Sequence, residues 1–282
     1  MPSLAVSLHE MKLTETMRKI LLIVGILASL AIVQVVLAQT PEGVITYEVK
    51  VNLHRRLPPE RAEMKSMIPE FRTTKEQLFF NAEESMYKPL IEDEEEQEFT
   101  SGGGGMRMVM RQPNTELYVR PGEQKIISKQ EFMGKDYLIE DTLKLSPWKF
   151  GEETKVIQGY TCKQAYFTRT TEEQTMRITG SGPPTPEKRM VTQEITAWYT
   201  DQIRQFLGPE RYNTLPGAVL AIDINNGERV IVAQKIELRP LKKNELKIPD
   251  KGQKTTQAEY QKMVQEQMQH MNSGGGGVII RN

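Results

Sequence analysis

Residues Tyr212 to Asp223 read YNTLPGAVLAID, and the order of residue types in this stretch decides the architecture. Pro216 presets one turn dihedral, and Gly217 is suited to the positive φ that a type II turn requires at its next position. Leu215-Pro216-Gly217 is therefore expected to turn the chain sharply into a strand. In that strand Ala218, Leu220, Ile222 and Ile224 fall on one face while Val219 and Ala221 fall on the other. A strand apolar on both faces belongs in the middle of a sheet.

Working outward, Asn225-Asn226-Gly227 separates Ala218–Ile224 from a second β-type run, Glu228–Leu238. Asn-Gly between two such runs is a strong hairpin signal, so the two are expected to pair. Near the other end, Ile45, Tyr47, Val49, Val51 and Leu53 alternate with polar residues, the pattern of a half-buried strand. Between these landmarks short β-type runs recur at regular intervals, at 106–111, 116–119, 125–132, 135–140, 149–158, 160–170 and 192–200. Turn residues such as Pro121-Gly122, Gly134 and Gly159 punctuate them. Residues 75–87 read as one further extended pass, and 58–68 as a short helix. Such spacing favours consecutive antiparallel strands over alternating helix and strand. The expected fold is mainly β: a curved antiparallel, half-barrel-like sheet wrapped around a helix or loop, with few helices. A two-sheet β-sandwich is the alternative.

Two polar stretches interrupt the pattern. Glu92 to Glu98 runs into Ser101 and four glycines, and 172–190 carries Gly180-Ser181-Gly182-Pro183-Pro184. Both read as solvated insertions. Beyond Pro240 the chain turns polar, and 256–271 fits an amphipathic C-terminal helix with the stripe Tyr260, Met263, Val264, Met268 and Met271, ahead of a Gly-rich end. The domain expectation is thus a signal segment at 1–38, a β domain at 39–240 and a polar tail at 241–282.

The signal reading rests on Arg18 and Lys19 ahead of an apolar run from Ile20 to Ala38. Cleavage after Ala38 would release a chain starting at Gln39 into the periplasm or the outer-membrane or extracellular side, whereas retention would leave an N-terminal membrane anchor. In the 282-residue chain 37 basic and 37 acidic residues cancel, which argues against a nucleic-acid partner. Cys162 is the single cysteine, so no intrachain disulfide can form. It reads as a small buried hydrophobe.

Thr214-Leu215-Pro216-Gly217-Ala218-Val219 resembles the signature of the GLPGLI family, with Thr214, Ala218 and Val219 departing from it. Gly43-Val44-Ile45-Thr46-Tyr47-Glu48, Tyr137 with Asp141, Trp148, Gly159-Tyr160-Thr161-Cys162, Ala165, Ala197-Trp198-Tyr199-Thr200 and Gly208-Pro209 follow in the family's order, over roughly residues 43–240. Arg204 stands where that family commonly has a proline. The resemblance implies an exported envelope protein of the kind typical of Bacteroidetes, without an established activity.

Candidate site residues are few. The chain beyond residue 38 holds only His54 and His270, at opposite ends, and no nucleophile-elbow, HExxH or paired-cysteine pattern occurs. A non-enzymatic protein without a cofactor is expected. Three functions remain: a binding or carrier module for an apolar ligand, an interaction protein docking a membrane or secretion component, and a methionine-based copper binder. For the first, Tyr160 and Tyr199 are the aromatic candidates to line an open concave face. For the third, Met106, Met108 and Met110 share a strand face, while Met268, His270 and Met271 cluster in the tail, and thioether and imidazole ligands suit Cu(I).

Overall fold

The computed structural model describes residues 42–57, 59–90, 97–100, 107–110, 114–177 and 185–273. Among these, twelve strands form one sheet, and the two-sheet sandwich is not adopted. Its first half is β1 (Gly43–Asn52), β2 (Phe71–Phe80), β3 (Ser85–Pro89), β6 (Glu116–Arg120), β7 (Lys125–Phe132) and β8 (Lys135–Thr142). β4 (Gln97–Thr100) and β5 (Arg107–Met110) pair separately as a small hairpin. The second half is β9 (Lys149–Ile157), β10 (Tyr160–Arg177), β11 (Thr185–Thr200), β12 (Ala218–Ile224) and β13 (Arg229–Leu238). Each half is an antiparallel meander, of chain neighbours except where the β4–β5 hairpin is inserted between β3 and β6, and the two meet along a single seam where β1 pairs with β13. The remaining strand, β14 (Gln253–Thr256), lies parallel to β8 at the edge. A one-turn helix α1 (Leu53–Arg56) follows β1, and α2 (Gln257–Ser273) ends the described chain.

The alternation in β1 sorts its side chains as the sequence suggests. Ile45, Tyr47 and Val49 join the main core, and Val44 faces the other side. β12 is buried along nearly its whole length between β11 and β13. The segment between β11 and β12, residues 201–217, lies on the main-core face, where Ile203, Leu207 and Leu215 are all at most 2% exposed. Burying each is worth about 1.5–3 kcal/mol. This segment also explains the curvature. Leu207 accepts the Val219 backbone N–H of β12 at 2.8 Å, and Arg211 pairs with Asp141 on β8 at 2.9 Å. A flat sheet would hold those two strands roughly 33 Å apart, a gap that the chain from 207 to 211, at most about 14 Å long, would cross only with both polar contacts and the Arg211 and Asp141 side chains stretched out in one line. The sheet therefore curls around the segment as around a plug. Arg204 ties the same plug to the β2–β3 turn by donating to the Glu84 carbonyl at 2.9 Å, and burial pushes its guanidinium down to about 10. On the opposite face Phe79, Met86, Tyr118 and Leu138 are covered by Leu241 and Leu246.

Several expectations need correction. Gly217 has no positive φ, so Leu215-Pro216-Gly217 is not a type II turn. Glycine is required there by close approach: a Cβ would overlap the Thr200 carbonyl oxygen and come within 2.7 Å of its carbon. The extended pass over 75–87 is broken by a turn in which the Asn81 side chain accepts the backbone N–H groups of Glu83 and Glu84. The stretch after Leu57 is a 3-10 helix, Pro59–Ser66. The polar excursion after residue 171 continues as a paired ribbon, with Arg177 opposite Thr185. At the C-terminal helix, Thr256 and Glu259 form a reciprocal capping box, each side chain accepting the other's backbone N–H, at 3.2 and 2.9 Å. Tyr260, first of the expected stripe, packs edge-on against Tyr137 and Phe132.

Candidate functional site

Beyond the plug, the concave face opens into a cleft of about 530 Å3. Its placement follows from ladder register. Val51 of β1 stands opposite Arg72 of β2 on one side and Arg229 of β13 on the other, and residues in one cross-strand row face the same way. Two guanidiniums therefore flank one valine across the seam. Ile224, the partner of Arg229 in β12, extends the row. With Val49 and Leu117, it forms an apolar floor. Arg169 of β10, Arg211 of the plug and Arg56 of α1 complete a wall of five arginines. Both sequence insertions are rooted at the rim. Pro89 and Thr115 bracket the one carrying the β4–β5 hairpin, and Arg169 and Gln193 are the partners from which the β10–β11 ribbon continues outward.

The charges are unequally matched. Arg229 pairs with Glu210, Arg56 with Glu228 at 3.5 Å and Arg211 with Asp141. Burial raises the Asp141 carboxyl's pKa, but the hydrogen bonds from Arg211 and the Thr142 backbone N–H, together with the charges of Arg211 and Lys144, outweigh it and leave the group below its ordinary range. Arg169 donates to the Gln193 side-chain oxygen at 2.7 Å. It also lies by Tyr212, whose hydroxyl burial pushes up and Arg169 pulls partly back. Among the described residues Arg169 has no carboxylate partner. Burial lowers the Arg72 pKa and raises that of Glu76, which faces Tyr87, Glu210 and Arg229. Three buried polar atoms of the lining, Tyr87 Oη, Ser128 Oγ and Arg229 Nε, have no hydrogen-bond partner among the described residues, and Ser128 is only 2% exposed. Such atoms cost free energy unless something supplied from outside meets them.

The residues singled out in the sequence lie elsewhere. Tyr199 is 6% exposed, in the core beside Phe150, and half-buried Tyr160 packs against the same core. Neither lines the cleft, because register and the plug fill that part of the concave face with the protein's own side chains. Leu215 is fully buried in the plug. Met106 lies outside the described residues. Met108 and Met110 fall in β5, and Met268, His270 and Met271 in α2. Cys162 is buried, and burial pushes its thiol up to about 11. Trp148 packs edge-on against Phe167 and donates its indole N–H to Thr214 at 3.0 Å, so the threonine that departs from the GLPGLI pattern anchors this corner. The arginine wall carried no sequence signal, since its members come from five separate elements.

Residues 148–221, from the Trp148 corner through the plug into β12, are similar to a family described as a protein of unknown function (Porph_ging). Comparison with curated proteins returns no match. Among solved structures the chain is similar to PNGF-II in its C2 and P21 crystal forms, each with 14% identity and a TM-score of 0.48. The matches cover 80% of this chain and 33% and 34% of those chains, so this chain spans about a third of their length. Among the described residues no helix is long and apolar enough to cross a membrane.

Proposed function

We propose that the protein is an exported, non-enzymatic binding module that holds a partly apolar small ligand in the cleft across the β1–β13 seam. The observation that carries the reading is the cleft itself. It has the volume of a small-molecule site, an apolar floor, and convergent polar atoms left unpartnered among the described residues. Binding rather than chemistry is supported by the lining, whose described residues include no histidine or cysteine. The Ser128 hydroxyl has no base within hydrogen-bond reach among the described residues. Export is supported by Arg18 and Lys19 ahead of the apolar run to Ala38.

Two measurements test the proposal. N-terminal sequencing of the protein from its own envelope is expected to start at Gln39, and an intact residue 1–38 segment would replace release with anchoring. Native mass spectrometry of the same material is expected to show a small molecule retained by the folded chain and lost from Ile224→Trp, which fills the floor. Retention by that variant would place the ligand outside the cleft.

A further inference from the structure

Among the described residues five guanidiniums line the cleft against two carboxylates, Glu76 and Glu210, while Asp141 and Glu228 pair with Arg211 and Arg56 from just outside it. The arginines' partners differ: among the described residues three of them pair with carboxylates and Arg72 is engaged as well, whereas Arg169 rests on the neutral Gln193 amide beside the Tyr212 hydroxyl, at the rim where the floor ends. A guanidinium is strongest as a partner for a planar carboxylate, which it meets with two parallel N–H donors. Inward from that rim the floor of Val49, Val51, Leu117 and Ile224 offers hydrocarbon surface. Apolar floor and cationic wall together describe the two ends of one ligand.

We propose that the cleft selects an amphiphilic carboxylic acid, its carboxylate held by Arg169 at the rim and its hydrocarbon body laid over the Val49, Val51, Leu117 and Ile224 floor. This rests on the binding-module reading above and adds the ligand's chemical class. The orphaned Ser128 hydroxyl and Arg229 Nε, on the two halves of the sheet, supply donors for whatever oxygen lies deeper. Arg169 is exposed and touches the core only at the Tyr212 hydroxyl, so its replacement leaves the fold intact.

The test compares a fluorescent polyunsaturated fatty acid, cis-parinaric acid, with its methyl ester, both below their micelle concentrations, on the chain from Gln39 to Asn282. The acid is expected to bind saturably and at least about tenfold more tightly than the ester, since one charge-assisted contact is worth that ratio. Arg169→Gln is expected to bring acid and ester within about threefold of each other, with circular dichroism and melting temperature unchanged. Arg169→Lys is expected to keep the charge but recover only part of the preference. Equal binding of acid and ester by the unsubstituted protein overturns the carboxylate inference while leaving the apolar cleft in place. Failure of both probes to bind folded protein overturns the cleft reading together with the inference. An acid preference that survives Arg169→Gln overturns the assignment of the head group to Arg169.

Discussion

Replacing Gly217 by alanine adds a single methyl group, and the structure states what it meets. The Cβ would overlap the Thr200 carbonyl oxygen, lie 2.7 Å from its carbon and 3.1 Å from the Asp201 nitrogen. All three are backbone atoms at the end of β11, which is held by pairing to Ala218 on one side, so no side chain can swing away to relieve the overlap. Overpacking of this kind costs about 1–3 kcal/mol, and the rigidity of the neighbour places Gly217→Ala at the upper end. For a domain of this size about 1 kcal/mol shifts the melting temperature by about 2–4 °C, so a fall of about 4–12 °C is expected. Gly134 is the control. Its φ is +75° and nothing lies within 4 Å of a Cβ there, so alanine meets only the left-handed backbone penalty of about 1–2 kcal/mol. Differential scanning calorimetry of Gly217→Ala, Gly217→Asn and Gly134→Asn separates the causes. Asparagine tolerates a left-handed backbone, so it is nearly neutral at 134 and as harmful as alanine at 217. A Gly217→Asn protein that melts with the wild type would refute the close-approach argument.

Glu76 has its pKa raised by burial, with Glu210 adding to the rise and the Tyr87 hydroxyl and Arg229 opposing it. The folded state thus favours its protonated form, and the resulting stability, fully present below the ordinary glutamate value of about 4.3, is lost as pH rises through the raised value. Glu76→Gln is therefore expected to stabilise the protein at neutral pH relative to wild type and to make no difference at pH 4, in urea titrations at both pH values; equal effects at the two would refute the shift. Tyr47 donates its hydroxyl to the Val219 carbonyl at 2.7 Å from a fully buried position, so Tyr47→Phe is expected to cost about 1–3 kcal/mol by denaturant titration, the range for stranding a buried acceptor. Thr256→Ala removes half of the capping box and is expected to cost about 1 kcal/mol, read as faster amide hydrogen exchange in the first turn of α2 with no change in β8.

The legibility of the fold tracks how local its determinants are. β12 was readable because both faces are apolar, and the β12–β13 hairpin because Asn225-Asn226-Gly227 supplies backbone positions with positive φ. β14 was not, because Gln253-Lys254-Thr255-Thr256 carries no apolar alternation and is held by backbone pairing to β8. The plug was equally hidden. Ile203, Leu207 and Leu215 are too irregularly spaced to announce an element, and they are buried only because strands from both halves arrive around them. The cleft depends on register more than anything else. Arg72, Val51 and Arg229 stand in one row only once the seam has aligned, and no pattern within any one strand records which residue that alignment will bring opposite.

The seam also sets the order in which the protein can fold. Each meander closes through hairpins between chain neighbours, contacts that form quickly. β1 against β13 joins Gly43 to Leu238 across almost the whole described chain, and must wait until nearly everything between them has been synthesised and released. Until then β1 is an unpaired edge carrying Val44, Ile45, Tyr47, Val49 and Val51, a template for intermolecular pairing. A nascent chain therefore carries its greatest aggregation hazard in its first strand. A circular permutant linking Leu238 to Gly43 and opened between β8 and β9 would convert that hazard into one more local hairpin.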